Sequence, residues 1–406
     1  MRFEKILCIA DPLRKIRAFP EGFFDLMREP IAQGAGFDIG HPAGGPQPHS
    51  MSAGFCLERF RQLSTLGSGD CKDDWAATYF KLPDQALEYF LAHIPANSLL
   101  LCFEMPAWLK DACSARAIAY LDVRVSPLRF ARDLYIALRT NVEPLYQRLS
   151  DTALSNEELR LEAGALAANV RMHRRRYEEV GQPGPSLGRS LVFIGQAPYD
   201  ASLLTPSGVP LRCEQLIEQL LQRLDGRRLL HKPHPLSMEF GVTERQTLER
   251  LTGLPVATCH LNAYQLLTCD DDVELIGLSS GLLQEAAWFG RAAHTLFRPY
   301  VPLATPGVMD LEYFQQVHFA NWCSPGFWHR LLAPQRTPPL LDKLPGLPLH
   351  YGRETLDQWW DYAKVLTWQR ALPNEMFLRA GGQQLRNELS QLQCTVEQMS
   401  ATVDDN

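Results

Sequence analysis

Lys232 and His234 form a small cluster of hydrogen-bond donors. They belong to the segment Lys-Pro-His-Pro at 232–235, which is separated from the apolar pair Leu229-Leu230 by His231. The two prolines restrict the backbone, so the donors sit on a stiff segment. Ammonium and imidazole groups of this kind bind anions, whereas His-Pro in a loop is also a common turn. The segment therefore predicts either one side of an anion site or a plain turn.

Ser279, Ser280 and Gly281 make a second cluster of small polar residues. They stand between an apolar run at 273–278 and another apolar stretch. Either serine is suited to cap a helix that begins here, with Glu285 in its first turns. The free N–H groups of a helix start attract anions, and the two hydroxyls add donors. The alternative is that the serines only cap the helix.

Asp200 and Glu104 are the carboxylates that the sequence places best for nucleophilic or acid–base chemistry. Asp200 follows the strand predicted at 190–194 and the polar residue Gln196, and it is also suited to cap a turn. Glu104 ends the uninterrupted apolar run at 99–103, next to a proline-restricted turn. It also suits the first turn of the helix predicted after it. Because a carboxylate at a strand end can reach a cleft, both are candidate catalytic residues.

Asp122, Arg124 and Arg129 are candidate contacts to a bound substrate, in particular to a carboxylate on it. The first two lie in an alternating segment at 120–127 that predicts a strand. Arg129 lies in the segment from 128 to 138, which predicts a helix. The alternative is an internal network of ion pairs, which we favour for at least two of the three residues.

Strand and helix patterns alternate around these clusters. Apolar runs predict strands at 1–10, 99–103, 190–194 and 273–277, and residues 262–267 predict a short helix. This alternation is typical of an α/β fold with parallel sheets, in which ligands bind at the carboxyl ends of the strands. We therefore expect the polar clusters to face one ligand.

The length of 406 residues and a linker signal predict two domains. The segment at 181–188 is rich in glycine and proline and marks the boundary. We predict an N-terminal domain at 1–182 and a second domain at 189–345. We expect C-terminal helices and a tail at 346–406, with helices that pack across the crevice between the domains.

Composition excludes several classes of protein. The net charge of −6 argues against a nucleic-acid partner held by a basic field. No apolar run reaches the length of a membrane span, and the start of the chain does not resemble a signal peptide. The ten cysteines are scattered, which predicts buried thiols in a reducing cytosol. No His or Cys cluster has zinc spacing, so we expect no metal and no other cofactor.

The His-Pro and Ser-Ser segments, in this order and each at a strand end, resemble motifs of a known group of enzymes. These are the bacterial CMP-sugar-dependent glycosyltransferases with the GT-B fold, which include sialyltransferases and Kdo transferases (Kdo is 3-deoxy-manno-octulosonic acid). The Lys-Pro-His-Pro form, with Gly195-Gln196 and Asp200-Ala201-Ser202 upstream, is most similar to the retaining β-Kdo transferases of capsule and O-antigen assembly. The resemblance implies two Rossmann-like domains that face a crevice.

The resemblance also implies roles for the candidate residues. CMP-β-Kdo would be the donor, Asp200 the catalytic nucleophile and Glu104 the acid/base. Capsule-type members carry Glu-Asp-Gly where this chain has Glu-Met-Pro at 104–106. The residues that would hold the CMP moiety are Lys232, His234, Ser279, Ser280, Gly281 and Gln196.

Two other functions stay open on the sequence. A sialyltransferase would use the same phosphate motifs, a carboxylate as the base, and inversion of configuration at the anomeric carbon of the sugar. A non-catalytic module would bind a nucleotide or glycan within an assembly complex. For the transferase we expect a glycan or lipid-linked acceptor and a cytoplasmic location. The basic run at 173–176 most often indicates a solvated face, and the weaker alternative is a patch that faces anionic lipid or a lipid-linked acceptor. Candidate partners are the inner membrane, by peripheral association, and further transferase domains.

Overall fold

The computed structural model describes most of the chain up to residue 339. Within the described residues the chain is an α/β protein with two five-stranded sheets. None of the helices in these ranges is both long and apolar enough to cross a membrane. The predicted C-terminal helices and tail at 346–406 lie outside the described residues. The described ranges are 3–14, 20–37, 39, 51–52, 54–65, 71–179, 186–235 and 237–339.

The first half of the chain contains four strands and seven helices within the described ranges. The strands are β1 (Lys5–Ala10), β2 (Ser98–Phe103), β3 (Ala119–Val125) and β4 (Tyr135–Thr140). The helices are α1 (Pro20–Ala35), α2 (Leu57–Ser64), α3 (Cys71–Thr78), α4 (Asp84–Ala92), α5 (Ala107–Ala115), α6 (Glu143–Asp151) and α7 (Asn156–Glu179). The predicted strands at 1–10, 99–103 and 120–127 are confirmed as β1, β2 and β3.

The second half continues the alternation of strands and helices. The strands are β5 (Ser190–Ile194), β6 (Arg228–Lys232), β7 (Ala257–Thr258), β8 (Val273–Gly277), β9 (Ala293–Thr295) and β10 (Gln315–His318). The helices are α8 (Ile217–Leu224), α9 (Met238–Thr252), α10 (Ala263–Thr268), α11 (Gly281–Ala286), α12 (Phe319–Trp322) and α13 (Pro325–Leu332). The predicted strands at 190–194 and 273–277 and the short helix at 262–267 are confirmed as β5, β8 and α10.

The second sheet is wholly parallel, with strand order β7-β6-β5-β8-β9. The order reverses beside β5, and this reversal is the point where open parallel sheets bind ligands. In the register, Ile194 at the end of β5 lies opposite both Lys232 of β6 and Gly277 of β8. The polar loops after these three strands therefore begin at the same level of the sheet.

The first sheet is mixed, with strand order β1-β2-β3-β4-β10. Strands β1, β2 and β3 are parallel, whereas β4 runs antiparallel to both β3 and β10. Strand β10 thus joins the first sheet although it follows every strand of the second sheet along the chain. The division into domains at 1–182 and 189–345 stays a prediction.

The predicted helix from 128 to 138 is wrong. Residues 135–140 form β4, and Ser126 donates its N–H to the carbonyl of Tyr135 at 2.9 Å as the chain turns back beside β3. The apolar residues Leu128 and Ala131 have the spacing of helical residues, but this spacing has a different cause. They lie in a loop that packs into the core of the second sheet. Tertiary packing therefore produced the periodicity that suggested a helix.

Candidate active site

One cavity of about 750 Å³ lies at the carboxyl ends of β5, β6 and β8, and loops that follow β1, β2 and β3 line its other side. Of the residues predicted from the sequence, only Asp122 is absent from its lining. The charged and polar residues around it include Arg14, Glu104, Arg124, Arg129, Gln196, Asp200, Lys232, His234, His260, Ser279, Ser280 and Glu285.

Asp200 lies in the loop after β5 and has two roles in the geometry. Its Oδ1 accepts a hydrogen bond from the N–H of Ser202 at 2.9 Å, which caps the short 3-10 turn at Ala201–Leu203. The capping interpretation is therefore correct, and Asp200 lines the cavity as well. Ala201 packs in one buried cluster with Trp75 and Tyr79, so side chains from the first half of the chain hold this loop in place.

Gln196 connects the loops after β5 and β8. Its Oε1 accepts the N–H of Ser279 at 2.7 Å, and its Nε2 donates to Oγ of Ser202 at 3.1 Å. The side chain is buried, and both ends of its amide are already engaged. Gln196 therefore fixes the two loops relative to each other at the wall of the cavity.

The hydroxyls of Ser279 and Ser280 do not make the capping hydrogen bonds that the sequence predicts as one possibility. Ser280 occupies the N-cap position of α11, but its side chain makes no capping bond. Oγ of Ser279 is buried and has no hydrogen-bond partner among the described residues. A buried hydroxyl without a partner is unfavourable unless a ligand or a water molecule forms a hydrogen bond with it. The side chains of both serines therefore line the cavity without making a capping hydrogen bond to α11.

Gly281 allows the loop after β8 to approach the first half of the chain. A Cβ at this position would lie 3.2 Å from Cβ and 3.3 Å from the carbonyl oxygen of Pro127. Next to it, Glu285 is buried and accepts hydrogen bonds from the N–H of Arg129 and from the hydroxyl of Tyr264. Arg129 therefore lies where the two halves of the chain meet at the cavity.

Lys232 and His234 both line the cavity, and burial affects them in the same direction. Burial lowers the pKa of Lys232, against a smaller opposing effect of Cys259, and its Nζ donates to the carbonyl of Leu261 at 2.6 Å. Burial also lowers the pKa of His234, although the nearby carboxylate of Asp200 opposes this shift. The sign of this shift favours a neutral His234 near neutral pH, where one ring N–H can donate to a phosphate oxygen.

Asp122 and Arg124 belong to a buried network of ion pairs. The Oδ2 atom of Asp122 lies 2.8 Å from Arg139 Nη2 and 3.2 Å from Arg124 Nη2, and its Oδ1 accepts the N–H of Met105 at 3.1 Å. Arg124 also donates to the carbonyls of Met105 and Tyr300, and its guanidinium stacks on the Tyr300 ring at 4.2 Å. These contacts match the ion-pair alternative for Asp122 and Arg124.

Comparison with known proteins finds similarity only at the level of structure. No family model matches the chain, and no curated protein matches it. The chain is similar in structure to two β-Kdo transferases. One is the β-Kdo 2,7 transferase of KpsC from Thermosulfurimonas dismutans, at 14% identity and a TM-score of 0.33, covering 63% of this chain and 90% of that one. The other is the β-Kdo 2,4 transferase of KpsC from the same organism, at 16% identity and a TM-score of 0.31, covering 51% and 71%.

Both of these structures carry the name of the family that the sequence motifs resemble. The identity and the TM-score are low in both comparisons. Among the described residues, no group of three His, Cys, Asp or Glu side chains is placed to hold a metal ion.

Sequence reasoning missed several residues of the cavity, among them Arg14 and His260. His260 follows β7, a strand of two residues that is too short to produce an apolar run. Arg14 lies four residues beyond the end of the strand predicted at 1–10. For Arg14 the available signal was a polar residue shortly after a predicted strand, whereas for His260 the sequence offered no such signal.

Replacing Gly195 with alanine should destabilise the fold, because a buried hydrogen-bonded pair, His231 and Glu244, lies directly behind this residue. A Cβ at 195 would lie 2.7 Å from Oε2 of Glu244 and 3.1 Å from Nε2 of His231, which are themselves 2.9 Å apart. We expect a loss of about 1–3 kcal/mol in the free energy of unfolding. In the matched control, Gly164→Ala, the new Cβ meets nothing within 4 Å inside α7. This control should gain about 0.5–1 kcal/mol.

Urea unfolding of the two variants beside the wild type measures both effects. Equal midpoints for Gly195→Ala and the wild type would contradict the close contact.

Proposed function

We propose that this chain is a glycosyltransferase that moves Kdo from CMP-β-Kdo to a hydroxyl of a glycan or glycolipid, with retention of configuration. The main support is the buried hydroxyl of Ser279, which lacks a partner among the described residues. It lies in a cavity that also receives Lys232, His234 and Asp200. These groups match a single phosphate next to a sugar with an electrophilic carbon.

The first step of the proposed reaction breaks the bond between the sugar and the phosphate. A carboxylate oxygen of Asp200 attacks the anomeric carbon, and CMP leaves with the electron pair of the broken bond. The leaving phosphate carries negative charge, so the hydroxyls of Ser279 and Ser280 and the donors of His234 and Lys232 stabilise it as it departs. CMP needs no proton to leave.

The second step transfers the sugar from Asp200 to the acceptor. The acceptor hydroxyl attacks the same carbon from the opposite side, its proton passes to Glu104, and the carboxylate of Asp200 is released. Two inversions give net retention. In this proposal the two sheets belong to two GT-B domains, and the enzyme acts in surface polysaccharide synthesis on the cytoplasmic side of the inner membrane.

CMP release from CMP-Kdo and from CMP-sialic acid, each with and without a glycan acceptor, tests this proposal. We expect turnover of CMP-Kdo alone and a β-linked product, identified by NMR of the anomeric centre. Turnover of CMP-sialic acid with inversion would indicate a sialyltransferase instead. A rise in melting temperature on adding CMP, without release from either donor, would indicate a nucleotide-binding module.

A further inference from the structure

Asp11 fixes a tight turn directly after β1. Its side chain is 3% exposed, and both of its oxygens are engaged. Oδ1 accepts the N–H of Leu13 at 3.0 Å, and Oδ2 accepts Nε1–H of Trp75 at 2.8 Å. The N–H of Arg14 closes the turn by donating to the Asp11 carbonyl at 3.3 Å. The turn therefore sets the starting point of the Arg14 side chain.

Arg14 reaches from this turn into the cavity. Its guanidinium lies over the Trp75 ring, 5.0 Å from the centroid, and it forms an ion pair with Glu104. Burial acts to lower the pKa of Arg14, but Glu104, with smaller contributions from Asp200 and Asp11, raises it overall. Arg14 is therefore a fixed positive charge close to both candidate catalytic carboxylates.

Glu104 has an unusual backbone conformation. Its φ is +50°, in the left-handed region that residues with a Cβ rarely occupy. Two hydrogen bonds hold the main chain here. The N–H of Glu104 donates to the carbonyl of Val123 at 2.9 Å, and the N–H of Met105 donates to Oδ1 of Asp122 at 3.1 Å. Strain of this kind persists where the surroundings impose it, and it is concentrated at functional sites. The segment 104–106 departs from the Glu-Asp-Gly pattern at its second and third residues, and Glu104 itself lines the cavity.

We infer that Arg14 is a positioning residue that holds the Glu104 carboxylate in the orientation needed for the second step. This inference rests on the proposed function. In that step Glu104 must accept a proton from the acceptor hydroxyl, which requires an ionised carboxylate in one place. The first step needs no proton transfer, so it does not depend on Glu104. Loss of Arg14 should therefore impair the two steps unequally.

Rapid-quench kinetics with CMP-Kdo and a glycan acceptor separates the steps. The burst of CMP reports the first step, and the steady-state rate reports the second. For Arg14→Gln we expect the burst rate to stay within about threefold and the steady-state rate to fall about tenfold to a hundredfold, as for a displaced catalytic group. Arg14→Lys, which keeps the charge, should recover part of this loss. The value of kcat/KM for CMP-Kdo, which reports binding and the first step, should not change.

Arg61→Gln is the matched control, since Arg61 binds the same turn from outside the cavity. Its Nε and Nη2 donate to the carbonyl of Pro12, each at 3.3 Å. We expect this variant to keep the wild-type burst and steady-state rates. Melting temperatures of all variants identify any that fail to fold, and Arg14→Lys then serves in place of Arg14→Gln.

Three outcomes would overturn the inference while the wild type is active. These are an Arg14→Gln variant that behaves like Arg61→Gln, an increase in KM with an unchanged steady-state rate, and an equal loss in both steps. The increase in KM would make Arg14 a contact to the donor, and the equal loss in both steps would make it a structural residue. A wild type that releases no CMP from CMP-Kdo would overturn the proposed function and this inference together.

Discussion

Replacing Asp200 with asparagine should lower turnover of CMP-Kdo by about a thousandfold or more, since the variant lacks the nucleophile of the first step. The fold should be unaffected. An asparagine oxygen accepts the hydrogen bond from the Ser202 N–H as well as the carboxylate does, and asparagine is a good capping residue. We therefore expect an unchanged melting temperature and unchanged CMP affinity. Intact-protein mass spectrometry after mixing with donor should find a glycosyl adduct on the wild type only.

Asp310→Asn is the matched control for this prediction. Asp310 caps a turn in the same way, because its Oδ1 accepts the N–H of Glu312 at 3.0 Å, but it does not line the cavity. This variant should keep full turnover. Wild-type turnover by Asp200→Asn would remove Asp200 from the mechanism, whatever the donor.

Replacing Asp122 with alanine should destabilise the protein by about 3–5 kcal/mol, which is the usual effect of removing one partner from a buried ion pair. Its carboxylate is fully buried and is the counter-ion of both Arg124 and Arg139, whose side chains are 6% and 9% exposed. The variant would leave two buried guanidinium groups near each other without this anion. Urea unfolding should give a lower midpoint with an unchanged dependence on urea concentration.

Glu312→Gln is the control for Asp122→Ala, because Glu312 also faces Arg139 but from the surface. Its side chain is 63% exposed, and it pairs with Lys110 at 2.5 Å and with Arg139 at 3.7 Å. We expect a change below about 1 kcal/mol, as for other exposed pairs. An Asp122→Ala variant with wild-type stability and lost donor affinity would instead make Asp122 a sugar contact.

The polar residues at strand ends could be predicted from the sequence, because a strand that stops at a turn-forming residue is a local pattern. This pattern led to Asp200, His234 and Ser279, and the register of the second sheet brings the three strand ends level. Which loops then face each other depends on strand order, which the sequence does not contain.

The pairing of Arg14 with Glu104 is a feature that the sequence could not reveal. The two residues are ninety positions apart, and only the parallel pairing of β1 with β2 brings their loops together. The incorrect helix from 128 to 138 has a similar origin. Its apolar spacing reflects contact with the core of the second sheet, and not the period of a helix.

The return of the chain to its first sheet has a consequence for how the protein is made. Strand β10 covers the edge of β4, all of whose residues are buried, and α13 packs so closely on α1 that a Cβ at Gly34 would lie 2.1 Å from the carbonyl oxygen of Pro325. During synthesis, the ribosome releases β4 long before it releases β10. A nascent chain of 300 residues therefore carries an open, apolar sheet edge, the kind of surface that pairs with other chains. Protection of that edge must wait for β10, so the interval between the release of β4 and the release of β10 is the stage at which this edge can pair with another chain.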